Sequence, residues 1–154
     1  MAAVETITID DQTELILAGP SIGEIQWRVA PADEEKWHLW LDCENKWLDA
    51  LERRSNGSKN TRRAYQHDVL AFFGAFADVQ LWPWQVKRVH TTAWVQQLFQ
   101  QGLSAATINR KVAACSSLYT YAMNEYILDD EQALWEKANP FGSKRLRSKV
   151  SSYG

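Results

Sequence analysis

The chain has 154 residues, 45% of them hydrophobic and 23% charged, which is the make-up of one ordinary folded domain with tails and excludes a wholly disordered chain. No apolar run of about 18 residues is present, so no membrane span is expected. The start of the chain, with Glu5, Asp10, Asp11 and Glu14, has neither the basic opening nor the apolar run of a secretion signal. Cys43 and Cys115 stand far apart, in no CxxC or metal-binding spacing. A disulfide scaffold and a zinc site are therefore not expected, and two free thiols suit a reducing cytoplasm. The net charge of −2 conceals a strong asymmetry. Residues 1–52 carry twelve acidic against three basic side chains, a net of −9, whereas residues 53–111 carry nine basic against two acidic, a net of +7. A polyanion partner for the basic stretch is one reading of this; pairing of the acidic and basic segments with each other is the other.

In chain order, residues 1–32 show no helical repeat and are broken by Gly19, Pro20, Gly23 and Pro31. They read as an acidic arm, flexible or carrying a weak hairpin. From Asp33, a candidate cap, Trp37, Trp40, Leu41, Trp47, Leu48 and Leu51 recur at steps of three and four and predict a first helix, stopped by Ser55, Asn56 and Gly57. Ser58 caps a second helix with Tyr65, Val69, Phe72, Phe73 and Phe76 on one face, ending near Asp78. Pro83 makes Leu81 to Trp84 a packed connector and not a helix interior. Thr91 or Thr92 is the expected cap of a third, shorter helix to Gln100, with Gly102 as its stop. Ser104 caps a fourth, whose stripe is Ile108, Val112, Cys115, Tyr119, Ala122 and Tyr126. Asp129 and Gln132 suggest a capping box for a short fifth helix to Ala138, stopped by Asn139-Pro140. Residues 140–154 are basic and aperiodic, a linker. The expected fold is all-α: a compact bundle of four main helices plus a short fifth over residues 33–139, behind a mostly irregular arm.

No catalytic constellation is legible. His38, His67 and His90 are scattered and have no ligand at a metal-like step, and there is neither a phosphate loop nor a nucleophile elbow. Asp129, Asp130 and Glu131 read as helix-start partners and not as paired catalytic carboxylates. No cofactor and no metal are expected. Two segments carry a signal instead, Ser58 to Val69 and Leu103 to Ala114. Each is a Ser-capped helix start that is polar and basic before it becomes apolar, and the unpaired N–H groups and positive dipole end of a helix start suit phosphate. At about 100° per residue from Ile108, the outer face of the fourth helix holds Thr107, Arg110, Ala114 and Ser117, one Arg among small residues, which suits close approach to a DNA groove. A solvated helix face with ordinary caps is the plainer reading of either segment.

Taken together and in this order, the segments resemble the N-terminal core-binding domain of the tyrosine recombinase, or phage integrase, family, a SAM-like helical domain. The resemblance rests on Ser58-x-Asn60-Thr61-x-x-Ala64-Tyr65-x-x-Asp68 with Phe72 and Phe76. It rests equally on Leu103-Ser104-x-x-Thr107-Ile108-Asn109-Arg110-Lys111-x-Ala113-Ala114 with Tyr119 and Tyr121. Asn139-Pro140 stands where such domains hand over to a catalytic domain. The resemblance implies double-stranded DNA as partner, clamped at a recombination site for integration or recombination. It implies DNA contacts from Lys59, Asn60, Thr61, Arg62 and Arg63 and from Thr107, Asn109, Arg110 and Lys111. Lys87 and Arg88 beside the connector, and Lys144 and Arg145 in the tail, extend that set. It further implies other recombinase protomers as partners of the intact protein, a monomeric isolated domain, and a bacterial or phage-borne protein of the cytoplasm, associated with the nucleoid. The family cuts DNA with a Tyr in a C-terminal domain that this chain is too short to hold. It has no His-x-x-Arg box, and Tyr153 lies in a polar tail, so the chain is expected to bind DNA without cleaving it. A helical protein-interaction module, docking through Trp82 and Trp84, is the alternative. A small stand-alone enzyme is a third reading, against which the missing constellation speaks.

Overall fold

The computed structural model describes residues 31–77 and 81–142. Among them the chain forms four α-helices, α1 (Pro31–Arg54), α2 (Lys59–Ala77), α3 (Arg88–Gln100) and α4 (Ala105–Asn124), with one turn of 3-10 helix at Pro83–Gln85. No strand forms among the described residues; an isolated antiparallel bridge pairs Ile127 with Ala133. The all-α expectation holds. The expected arm, apart from its last two residues, and the tail beyond Gly142 lie outside the described residues. Contacts divide the chain into two compact units, with the boundary between Pro83 and Trp84.

In the first unit, α1 opens at Pro31, two residues before the expected cap, at a position where the missing N–H of a proline has no helical partner to lose. Asp33 and Glu34 then fall in the first turn, and Arg53 and Arg54 in the last, each complementing the helix dipole. Asn56 (φ 59°) and Gly57 (φ 79°) take left-handed backbone. The Gly57 N–H donates to the Glu52 carbonyl at 2.7 Å, which closes the helix and turns the chain back on itself. Ser58 caps α2 as expected, its Oγ accepting from the Thr61 N–H at 3.1 Å. α1 packs on α2. Trp37, Trp40, Trp47, Leu48, Val69, Leu70, Phe72 and Phe73 are buried. Trp37 meets Phe73 edge-on at 6.5 Å and Trp82 at 5.6 Å. Trp82 is thus a core ring of this unit and is not offered to the docking patch envisaged at Trp82 and Trp84.

In the second unit α3 begins at Arg88, earlier than the expected Thr91 or Thr92 cap. The reason is His90: its Nδ1 accepts from the Lys87 N–H at 2.9 Å, the role a Glu or Gln plays three residues into a capping box. Thr91 lies inside the helix, fully buried, its hydroxyl 2.7 Å from the Pro140 carbonyl and 3.0 Å from that of Arg88. Ser104 caps α4, accepting from the Thr107 N–H at 3.2 Å. The stripe Ile108, Val112, Cys115, Tyr119 and Ala122 is buried as expected, with Tyr126 buried just past the end of the helix. Ala114, Ser116 and Lys111 are buried as well. The covered arc therefore runs from about 240° through zero to about 80°, wider than the stripe suggests, because small Ala114 and Ser116 admit close neighbours.

The short fifth helix does not form. The Gln132 N–H donates to the Asp130 side chain at 3.1 Å and not to Asp129, and Glu131 takes a left-handed φ of 68°. The N–H groups of Leu128, Leu134 and Trp135 go to the carbonyls of Gln132, Tyr126 and Ala122. This folded-back path puts Trp135 against Tyr119, ring centroids 5.0 Å apart, and Phe141 against Tyr119 at 5.9 Å and Trp94 at 6.3 Å. Each large ring removes roughly 150–250 Å² from water, more than a local capping preference offsets. Asn139 fastens the end of this segment. Its Nδ2 reaches the Ser116 carbonyl at 3.0 Å and Thr120 Oγ1 at 3.1 Å, and its Oδ1 accepts from the Phe141 N–H at 2.9 Å.

Candidate nucleic-acid interface

The two basic helix starts are placed by the same local device, a Ser cap. At the start of α2, Lys59, Asn60 and Arg63 are exposed, and Thr61 and Arg62 are half-buried. Asn60 Oδ1 accepts from Arg63 Nη1 at 3.3 Å, so these two side chains are held side by side. Arg62 Nη1 lies 2.7 Å from Asp49 Oδ1 and 3.3 Å from Glu52 Oε1. Lys59 Nζ lies 3.2 Å from Glu52 Oε2. Pairing of acidic with basic segments is thus realised here, between the end of α1 and the start of α2. Neither Asp49 nor Glu52 is singled out by sequence. Each sits on α1 as an ordinary acid, and only the turn at Asn56-Gly57 brings it to Arg62.

Glu44, on α1 and near enough to Arg62 to feel its charge, is another residue that sequence reasoning missed. It is 3% exposed, and its Oε2 has no hydrogen-bond partner among the described residues. Burial pushes its pKa from 4.5 up to about 7, while the Arg62 guanidinium pulls the other way. Burial, reinforced by Asp42 and Glu44, also raises the pKa of the adjacent Cys43 thiol, which leaves it protonated and unreactive.

In the second unit, Arg110 is exposed on α4, on an outer face with Ala106, Ala113, Ser117 and Thr120. Thr107 is half-buried, and its Oγ1 is engaged with the Ser104 hydroxyl at 3.0 Å. Asn109 Oδ1 is buried without a hydrogen-bond partner among the described residues, so the amide in this orientation does not offer the acceptor half of a bidentate adenine contact. Lys111 is 7% exposed. At about 300° on the helix it falls within the covered arc, which disfavours the expected phosphate contact. Lys87 and Arg88 are exposed at the start of α3, with the Arg88 guanidinium lying against Gly142. Lys144 and Arg145 lie outside the described residues. Among the described residues no group of His, Cys, Asp and Glu is arranged to hold a metal ion, and no helix is long and apolar enough to cross a membrane.

The family model described as "Phage integrase, N-terminal SAM-like domain" matches residues 45–126, from the middle of α1 to just past α4. The chain belongs to this family. A tyrosine recombinase XerC of Listeria monocytogenes serotype 4a is 29% identical over 86 residues, which are 55% of this chain and 29% of the relative. A tyrosine recombinase XerD of Rickettsia bellii is 28% identical over 81 residues, 53% of this chain and 27% of the relative. The chain thus spans under a third of the length of the relatives it matches. No solved structure matches it at the same stringency. The matched stretch holds both Ser-capped starts, and it is the N-terminal SAM-like part of the family that matches and not a catalytic domain.

Proposed function

We propose that this chain is the DNA-binding, core-binding part of a site-specific tyrosine recombinase. In this reading strand exchange belongs to a catalytic domain elsewhere in the recombinase, and this part grips the recombination site. The observation that carries the reading is the pair of Ser-capped helix starts within the family match, each presenting exposed basic side chains: Lys59 and Arg63 on α2, and Arg110 on α4. Lys87 and Arg88 at the start of α3 add two more cations. Phosphate contacts from these five would fix the protein on the duplex. Arg110, on a face otherwise of small residues, is the candidate for reaching a base edge. Such a protein works in the cytoplasm where the DNA is, and the intact recombinase acts with other protomers on paired sites.

The test is a fluorescence-anisotropy titration of the chain with a mixed-sequence duplex of about 30 base pairs at rising salt. About five phosphate contacts give a slope of log affinity against log salt near −4 to −5. Arg110→Glu is expected to weaken binding at least tenfold. Absence of binding at low salt by the folded chain, both as it stands and with Asp49 and Glu52 neutralised, would refute the reading.

A further inference from the structure

The ion pairs at the start of α2 bear on DNA binding in a way that rests on the reading above and goes beyond it. Glu52 serves two cations at once, Oε2 toward Lys59 and Oε1 toward Arg62, and Asp49 takes Arg62 at the shorter distance. At the surface two cations face two anions, so these ion pairs balance in charge although the segment after Glu52 is strongly basic. A single guanidinium nitrogen, Nη1, makes both Arg62 contacts, and the remaining guanidinium donors have no partner among the described residues. Arg62 is only 26% exposed and Asp49 is 56% exposed, so a phosphate arriving from solvent meets the carboxylate and the guanidinium together.

We propose that Asp49 and Glu52 are specificity-determining residues: they occupy Lys59 and Arg62 and so suppress binding to non-cognate polyanions. A duplex held loosely, by charge alone, has to displace or approach two carboxylates to use these cations, and the like charge penalises it. A duplex seated in register by other contacts presents a phosphate to the open donors of Arg62 and recovers the interaction. Two of the three pairs have one well-exposed partner and are individually weak, so the suppression is a modest factor at each acid and never a complete block.

The experiment compares the wild-type chain, Asp49→Asn, and Asp49→Asn/Glu52→Gln in the same anisotropy titration with a mixed-sequence duplex. The expected result is tighter binding, by about threefold to fivefold for Asp49→Asn at low salt and about tenfold for the double variant. The salt slope of the double variant should steepen by about one, as Arg62 joins the five cations already counted. Adding Arg62→Gln should remove most of the gain. Unchanged or weaker binding by a folded Asp49→Asn chain would overturn the proposal and leave the acids as ties between α1 and α2. Asp49 is exposed enough that this single variant keeps the fold even if the double one does not. Salt-dependent binding by the wild type without any gain in the variants defeats this inference alone. No binding by any of the chains defeats the DNA-binding reading and the inference with it. Binding that appears only once the acids are neutralised supports both.

Discussion

Glu44→Gln should make the protein more stable in a way that depends on pH. The Glu44 carboxyl is almost wholly out of water, and burial raises its pKa from 4.5 to about 7. The folded state therefore holds this proton where the unfolded state has lost it, and stability falls as pH rises from about 4.5 to about 7. Each pH unit within that window is worth about 1.4 kcal/mol for one group, so the ionised carboxylate costs roughly 3 kcal/mol above pH 7, with the attraction of Arg62 already counted. Glutamine keeps the shape and cannot ionise. Urea unfolding of wild type and Glu44→Gln, followed by tryptophan fluorescence at pH 4.5, 6 and 8, isolates this group, since all other titrations cancel in the difference. The gap between the two proteins should shift toward the variant by roughly 3 kcal/mol between pH 4.5 and 8, and half of that shift should be present near pH 6. The buried amide adds an offset that does not change with pH. A difference flat with pH, or a variant that loses ground as pH rises, would refute the reasoning and mean that the carboxylate is well paired in the folded state.

Thr91→Val keeps the shape of Thr91 but leaves the buried Pro140 carbonyl without its 2.7 Å donor, and should lower stability by about 1–3 kcal/mol in thermal unfolding. Gly57 and Gly142 both have positive φ, but an added Cβ at Gly57 meets nothing within 4 Å, whereas at Gly142 it runs into the Arg88 guanidinium. Gly57→Ala and Gly142→Ala should each cost about 1 kcal/mol from backbone strain, because the exposed Arg88 side chain can swing clear of an added Cβ at Gly142. Cys43 and Cys115 are buried, so a thiol reagent should label neither in the native protein and both in urea, with labelling that tracks unfolding.

What was legible in the sequence is what local chemistry decides. Ser58 and Ser104 announce their helices because a hydroxyl before a polar first turn has one good use, and Asn56-Gly57 announces a stop because left-handed backbone favours those residues. The α4 stripe was legible because its spacing alone fixes a face. The start of α3 was not, since a histidine acting as the acceptor of a capping box leaves no usual signature. The fifth helix failed as an expectation because Asp129 and Gln132 are a local signal, while the fold-back of residues 126–135 is driven by Trp135 and Phe141 seeking Tyr119. At the candidate site the exposed cations Lys59, Arg63 and Arg110 stood where the sequence placed them. The burial of Lys111 and the engagement of Arg62 by Asp49 and Glu52 are cross-element facts. No periodicity within one helix encodes them.

The fastening of residues 139–141 also defines a load path. Asn139 ties the chain to two residues of α4, the Pro140 carbonyl is held by Thr91 on α3, and Phe141 is seated between Trp94 and Tyr119. A pull applied beyond Gly142 is therefore not taken up by slack in the stretch between α4 and Asn139. It passes into α3 and α4 together, so the second unit answers tension as one body.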